Sequence, residues 1–173
     1  MKCIILFLVG SLLTGNAMAF EKKNIYGYVE KVILVEKTLT VSAKLDTGAK
    51  SSSLSAINIQ RIERNGVSYL RFIVPNKKGD VELTAEYVGK VKIKARDSEN
   101  GTLPIIPIKR PVVLIQIQMG GEVRTIPVNL TNRKRFLYPL LLGRDAIRAF
   151  SGLVDPSLVF TLKKEEVNKN EVK

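Results

Sequence analysis

Lys44-Leu45-Asp46-Thr47-Gly48-Ala49 is the stretch of this 173-residue chain on which its fold turns. The run Thr38 to Leu45 before it alternates apolar and polar residues as a half-buried strand does. Asp46 therefore stands where a strand ends and the chain has to bend. Two readings compete. Asp and Gly are favoured in ordinary turns, because the Asp side chain bonds nearby backbone and Gly accepts unusual dihedrals. A carboxylate presented at a strand end also suits acid–base chemistry when a second one stands about 3 Å away, since the two then share one proton. The chain has a single Asp-Thr-Gly, so a pair of such turns requires two chains.

The N-terminus reads as a secretory signal over residues 1–19. Lys2 is basic, Ile4 to Leu13 is apolar, and Ala17-Met18-Ala19 is a small-x-small cleavage site. The apolar run is too short to span a bilayer, which takes roughly 20 residues. Cys3 precedes that run, the wrong place for a lipidated cysteine. Removing the leader leaves 154 residues without cysteine or histidine. His-based triads, the paired-histidine zinc motif and the common nitrogen and sulfur ligands of zinc are thereby excluded. The formal charge of +12 suits solubility, an acidic substrate or an anionic envelope surface. Export argues against nucleic acid as a partner. Arg133-Lys134-Arg135 reads by default as a solvated loop that is also able to contact an acidic substrate.

The rest of the mature chain reads as one domain, residues 20–162, made mostly of strands. Ile25 to Val35, Thr38 to Leu45, Leu54 to Ile62, Tyr69 to Val74 and Tyr87 to Ala95 are strand-like, with Asn65-Gly66 as a turn. Asp97 to Gly101 is a polar turn cluster, and Pro104, Pro107 and Pro111 mark a loop with little regular pairing. Pro111 to Met119 and Glu122 to Leu130 form a hairpin about Gly120-Gly121. Leu137 to Leu142 reads as a buried strand, Arg144 to Phe150 as a helix, and Leu158 to Leu162 as a closing strand. The tail 163–173 is charged and reads as disordered. Many short strands with one late helix predict an all-β chain, a closed or partly closed β-barrel. Asn129-Leu130-Thr131 matches a glycosylation pattern and carries little weight beside a bacterial-looking leader.

Two segments now stand out: Leu45-Asp46-Thr47-Gly48-Ala49 after an early strand, and Leu141-Leu142-Gly143-Arg144-Asp145 before the late helix. In this order, around a β-rich middle, they resemble the two hallmarks of retropepsins, the single-domain aspartic peptidases. Lys44 to Ala56, Arg110 to Val113, Leu130 to Arg133 and Tyr138 to Arg144 together resemble one bacterial retropepsin-like family, over roughly Tyr26 to Asp155. Members of that family often carry the label ATP-dependent zinc protease. The label fits this sequence badly, since it has no Gly-x-x-x-x-Gly-Lys loop and no histidine. No ATP, metal or other cofactor is expected.

The resemblance implies a retropepsin-like barrel and an aspartic endopeptidase active as a homodimer, each subunit supplying one Asp46. Thr47 locks the two loops across the dimer axis, and Gly48 lets a substrate backbone approach. Ala49, Lys50, Gly143, Arg144 and Asp145 are expected to support the site or contact substrate. In retropepsins the arginine at Arg144 pairs with an aspartate two residues past the glycine, a place held here by Lys50. Either Lys50 and Asp145 have exchanged charges, or Lys50 points to solvent or substrate. A flap is expected between the Asp-Thr-Gly segment and the Pro111–Leu130 hairpin, with Asp97 to Lys109 as candidate and Gly101 as hinge, against a plain connector. Family members are commonly found with glutamate-ligase-type enzymes, which implies peptide or acidic-tag processing; the leader places it in the periplasm or outside the cell. The competing readings are a monomeric, non-catalytic barrel that binds a peptide or envelope component, and a carboxylate-ligated metal hydrolase.

Overall fold

The computed structural model describes residues 22–93 and 107–162. The leader 1–19, the tail 163–173, the polar turn 97–101 and most of the flap candidate, Gly101 included, lie outside the described residues. Ten strands and one helix follow in order: β1 (Asn24–Leu34), β2 (Leu39–Asp46), β3 (Ser52–Ser55), β4 (Ile57–Arg64), β5 (Val67–Val74), β6 (Val81–Ile93), β7 (Ile108–Met119), β8 (Glu122–Thr131), β9 (Leu140–Gly143), α1 (Arg144–Ala149) and β10 (Gly152–Val159).

The strands run β10-β1-β2-β9-β3-β8-β7-β6-β5-β4, and a further pairing of β1 with β7 closes β1, β2, β9, β3, β8 and β7 into a barrel. The expected all-β barrel with one short helix is what the structure shows. Closure follows from alternation: in β2, Leu39, Val41, Ala43 and Leu45 point into the core while Thr40 and Lys44 face out. Ile115, Ile117 and Met119 of β7 do the same opposite them. Beyond the ring, β6, β5 and β4 form a meander that accounts for the surplus of residues between Ile62 and Ala95.

Two turns follow the residues closely. Asn65-Gly66 and Gly120-Gly121 all adopt positive φ, the condition of a two-residue type I′ hairpin. Other elements differ from expectation for local reasons. The Leu54–Ile62 run divides at Ala56 into β3, which pairs with β8 and β9, and β4, which pairs with β5; the bulge at Asn58, with φ 53°, lies within β4. Ile108 to Pro111 is strand rather than loop, paired with Lys90 to Ile93. The proline is tolerated there because the register breaks beside Gly89, whose φ is 126°. Leu137 is 83% exposed and outside β9, which starts only after Pro139. The closing strand is Gly152–Val159, starting six residues and ending three residues earlier than expected; Phe160 follows it with φ 50°.

The residues after β10 are fastened by Glu30. This carboxylate is fully buried, and accepts from the Gly27 N–H at 2.7 Å, the Thr161 N–H at 3.0 Å, the Thr161 hydroxyl and the Leu162 N–H at 3.3 Å. Hydrogen bonding to the charged form offsets the cost of burying it. Glu30→Gln turns an NH2 group towards donors and strands at least one of them, so unfolding free energy should fall by about 2–3 kcal/mol. Urea titration of the two proteins measures it, and an unchanged midpoint contradicts this account of Glu30.

Candidate active site

The Asp-Thr-Gly turn and the Gly-Arg-Asp segment are side by side because β9 is threaded between β2 and β3. Parallel pairing sets Leu45 beside Leu142 and Asp46 beside Gly143, while β3 runs antiparallel on the other flank of β9. The approach is tight. A Cβ on Gly143 would stand 2.6 Å from the Lys50 carbonyl oxygen and 2.7 Å from that of Ser51, so only glycine fits. The Gly143 N–H donates to the Ser52 hydroxyl at 3.2 Å, which accounts for one of the serines after the motif.

The Asp46 carboxylate is oriented from both sides. Its Oδ1 accepts from the N–H groups of Gly48 at 3.0 Å and Ala49 at 3.3 Å, and its Oδ2 stands 3.5 Å from Lys44 Nζ. Lys44 and Asp46 are two residues apart on one strand and so share a face. Both are partly exposed, and an ion pair of this kind is worth less than about 1 kcal/mol. Its effect is on direction rather than stability.

Arg144 completes the turn. Its Nη1 donates to the carbonyls of Thr47 at 2.8 Å and Gly48 at 3.1 Å, while its own N–H donates to the Ala49 carbonyl at 2.9 Å. The backbone of the Asp-Thr-Gly loop thus takes the place of the carboxylate expected as its partner. Asp145 meets Lys50 only through the main chain, its N–H donating to the Lys50 carbonyl at 3.2 Å. Among the described residues no ion pair joins the Lys50 and Asp145 side chains, so the exchanged-charge arrangement is not formed in this structure.

Asp46, Gly48, Ala49, Lys50, Arg144 and Asp145 all line one cleft of about 1390 Å3. Gly143 is buried beneath it, and Thr47 is exposed beside it. One wall is built from Val91, Ile93 and Ile108, the ends of the β6–β7 arms, and another from Phe136, Leu137 and Tyr138. Lys109, the last residue of the flap candidate, is part of strand β7. Among the described residues no three acidic, histidine or cysteine side chains converge as a metal site.

Ser53, Arg110 and Asn129 also line the cleft and were not singled out by the sequence as a site, and Arg133, read by default as a solvated loop residue able to contact an acidic substrate, lines it with them. Arg133 is 7% exposed, which corrects the expected solvated loop; Lys134 and Arg135 are the exposed members of that triplet. Burial pulls the Arg133 guanidinium below its ordinary pKa, the neighbouring charge of Arg110 adds to the effect, and Asp46 opposes it. Burial also lowers that of Arg110. Asn129 is buried within β8 and hydrogen-bonded to Ser52, unlike a glycosylation site.

Arg144→Met removes the fork that ties the turn while keeping a long apolar stem. Loss of the two carbonyl contacts should cost about 1–3 kcal/mol and speed hydrogen exchange at the Gly48 and Ala49 amides. Exchange followed by NMR checks this, and unchanged protection at both amides contradicts it.

Comparison with known proteins agrees with this geometry. Over 126 residues the chain is 33% identical to a probable alpha-L-glutamate ligase of Shewanella pealeana, a match covering 70% of this chain and 26% of that protein. A protein of the same description from Desulfotalea psychrophila is 29% identical over 136 residues, covering 75% of this chain and 28% of the other. The chain spans about a quarter of the length of these curated relatives. A solved structure from Legionella pneumophila, Lpg0085, described as of unknown function, is 62% identical with a TM-score of 0.73, covering 82% of this chain and all of that one. The profile of the RimB-like family, described as retropepsin-like aspartic endopeptidase RimB, matches residues 25–165. The chain belongs to the RimB-like family of retropepsin-like proteins.

Proposed function

We propose that this protein is an exported aspartic endopeptidase that hydrolyses peptide bonds as a homodimer, with one Asp46 from each copy. The observation that carries the reading is the way Asp46 is held. It stands at the end of a barrel strand and lines a cleft of peptide-binding size, with one oxygen fixed by two backbone amides and the other 3.5 Å from Lys44 Nζ. A carboxylate oriented in this way supports a shared-proton pair once a second copy brings its own.

In that pair one Asp46 is ionised and takes a proton from water, whose oxygen attacks the scissile carbonyl carbon. The protonated partner donates to the carbonyl oxygen as it gains negative charge. Collapse of the tetrahedral adduct breaks the C–N bond, and the amine leaves with a proton from the pair. The pair titrates as one unit, so a bell-shaped pH profile belongs to both groups together.

An acidic peptide is the substrate class best matched to this chain. Its formal charge is +12, and Lys44, Lys50, Lys92 and Arg144 line the cleft. The relatives described as alpha-L-glutamate ligases contain a segment similar to this chain, which fits a peptidase that works on glutamate-rich products. Ligase activity itself is not carried over, because the similarity covers 26% of the Shewanella protein. Export rests on the leader at 1–19.

The test is cleavage of a peptide library by wild type and Asp46→Asn across a pH series. Turnover should fall by on the order of 10³-fold in the variant at every pH. Equal turnover by the two proteins would remove Asp46 from the chemistry.

A further inference from the structure

The cleft contains two cations that nothing in the described fold neutralises. Arg110, on β7, is anchored by Nη1 donating to Asn129 Oδ1 at 3.4 Å, and its Nε is buried without a hydrogen-bond partner. Arg133, just after β8, is anchored by Nε donating to the Tyr138 carbonyl at 3.2 Å, with its guanidinium 4.3 Å from the centre of the Phe136 ring. The charge of Arg110 reaches Arg133 and opposes it, and among the described residues neither forms an ion pair. Asp46 is the carboxylate whose field reaches Arg133, and its own close cation is Lys44. Beside them the Ser53 hydroxyl is buried, 5% exposed as a residue, and also lacks a partner.

Desolvated like charges next to unpaired donors are unfavourable unless an anion joins them. Arg133 is held by its inner Nε, which leaves the fork of its two Nη groups facing outward, and Arg110 is held by one tip of its fork, which leaves its Nε as an unpartnered donor. Both planes are oriented before any ligand arrives, and a planar guanidinium matches a carboxylate. All three side chains line the cavity that contains Asp46.

We propose that Arg110, Arg133 and the Ser53 hydroxyl form a subsite that takes a carboxylate group of the bound peptide and sets its position relative to Asp46. The proposal rests on the reading of the cleft as a peptide site and assigns the residues that read an acidic group there. That carboxylate comes from a glutamate or aspartate side chain, or from the free C-terminus of the peptide. The two sources share their chemistry and are separated by experiment.

Binding, rather than cleavage, tests it on the full protein. The probes are short peptides with reduced, non-hydrolysable backbone bonds, in which one glutamate is scanned along a neutral sequence. Each is paired with its glutamine counterpart and made with a free or an amidated C-terminus. Calorimetry on wild type should show one position where glutamate binds at least about thirtyfold more tightly than glutamine, or a similar preference for free acid over amide. The first result identifies a side chain, the second a chain end. Arg133→Gln and Arg110→Gln should bring the ratio close to one, and Arg133→Lys, which keeps the charge without the fork, should retain part of it.

No preference in wild type at any position overturns the subsite. So does a preference undiminished in both glutamine variants, or tighter binding of phosphoserine than of glutamate at the preferred position. Melting temperatures confirm that each variant is folded, and the wild-type ratio with Arg133→Lys decides the matter if a glutamine variant is not. Because the readout is binding, a preference found without hydrolysis keeps the subsite and removes the peptidase reading. Hydrolysis without a preference does the reverse.

Discussion

The contact between Arg144 and the carbonyls of Thr47 and Gly48 is the constraint on which the site depends. A turn that aims two N–H groups at the Asp46 carboxylate leaves its carbonyls facing the other way, where they need donors. Arg144 supplies them, and it is in place only because β9 runs between β2 and β3 and ends at Gly143. The closeness of that passage, with Gly143 against the backbone of Lys50 and Ser51, makes the glycine a packing requirement. Fold and site are therefore one arrangement: the strand threaded between β2 and β3 also orders the carboxylate.

Around that carboxylate the charge is asymmetric. Lys44 pairs weakly with it at the rim, Arg144 binds the loop beneath it, and Arg110 and Arg133 stand in the cleft without acidic partners among the described residues. A buried cation such as Arg133, or a half-buried one such as Arg110, is stable only when held by hydrogen bonds or matched by a ligand. Asn129, the Tyr138 carbonyl and the Phe136 ring do the holding. The Arg110 Nε and the Ser53 hydroxyl are the donors left without a partner.

How much of this was legible in the sequence depended on how local each signal was. Asp46-Thr47-Gly48 and Gly143-Arg144-Asp145 were readable because each is a contiguous segment with its own backbone requirement, and their order pointed to the barrel. Asn65-Gly66 and Gly120-Gly121 were readable because positive φ is written into those residues. The cation pair was not, since it depends on cross-strand register: Val112 opposite Asn129 in β7 and β8, and Ser52 opposite Val128 in β3 and β8. Leu137 was misread because an apolar run has the same composition whether it fills a core or walls a cleft. Glu30 breaks the alternation of β1, being buried next to buried Val29, because the segment after β10 covers it. No pattern within β1 announces that cover.

The same reasoning applies to the partner of Arg144. Its usual carboxylate is replaced in this sequence by Lys50, and charge logic alone offered an exchange with Asp145. Backbone carbonyls, which sequence patterns do not display, took the role instead.

The central claim is that Asp46 acts only together with a second Asp46. Mixing wild-type subunits with increasing amounts of Asp46→Asn, at fixed total protein after exchange of subunits, tests it directly. Peptide hydrolysis should fall as the square of the wild-type fraction, because only dimers with two aspartates turn over. A fall in simple proportion to that fraction would mean that each chain works alone, and would contradict the account.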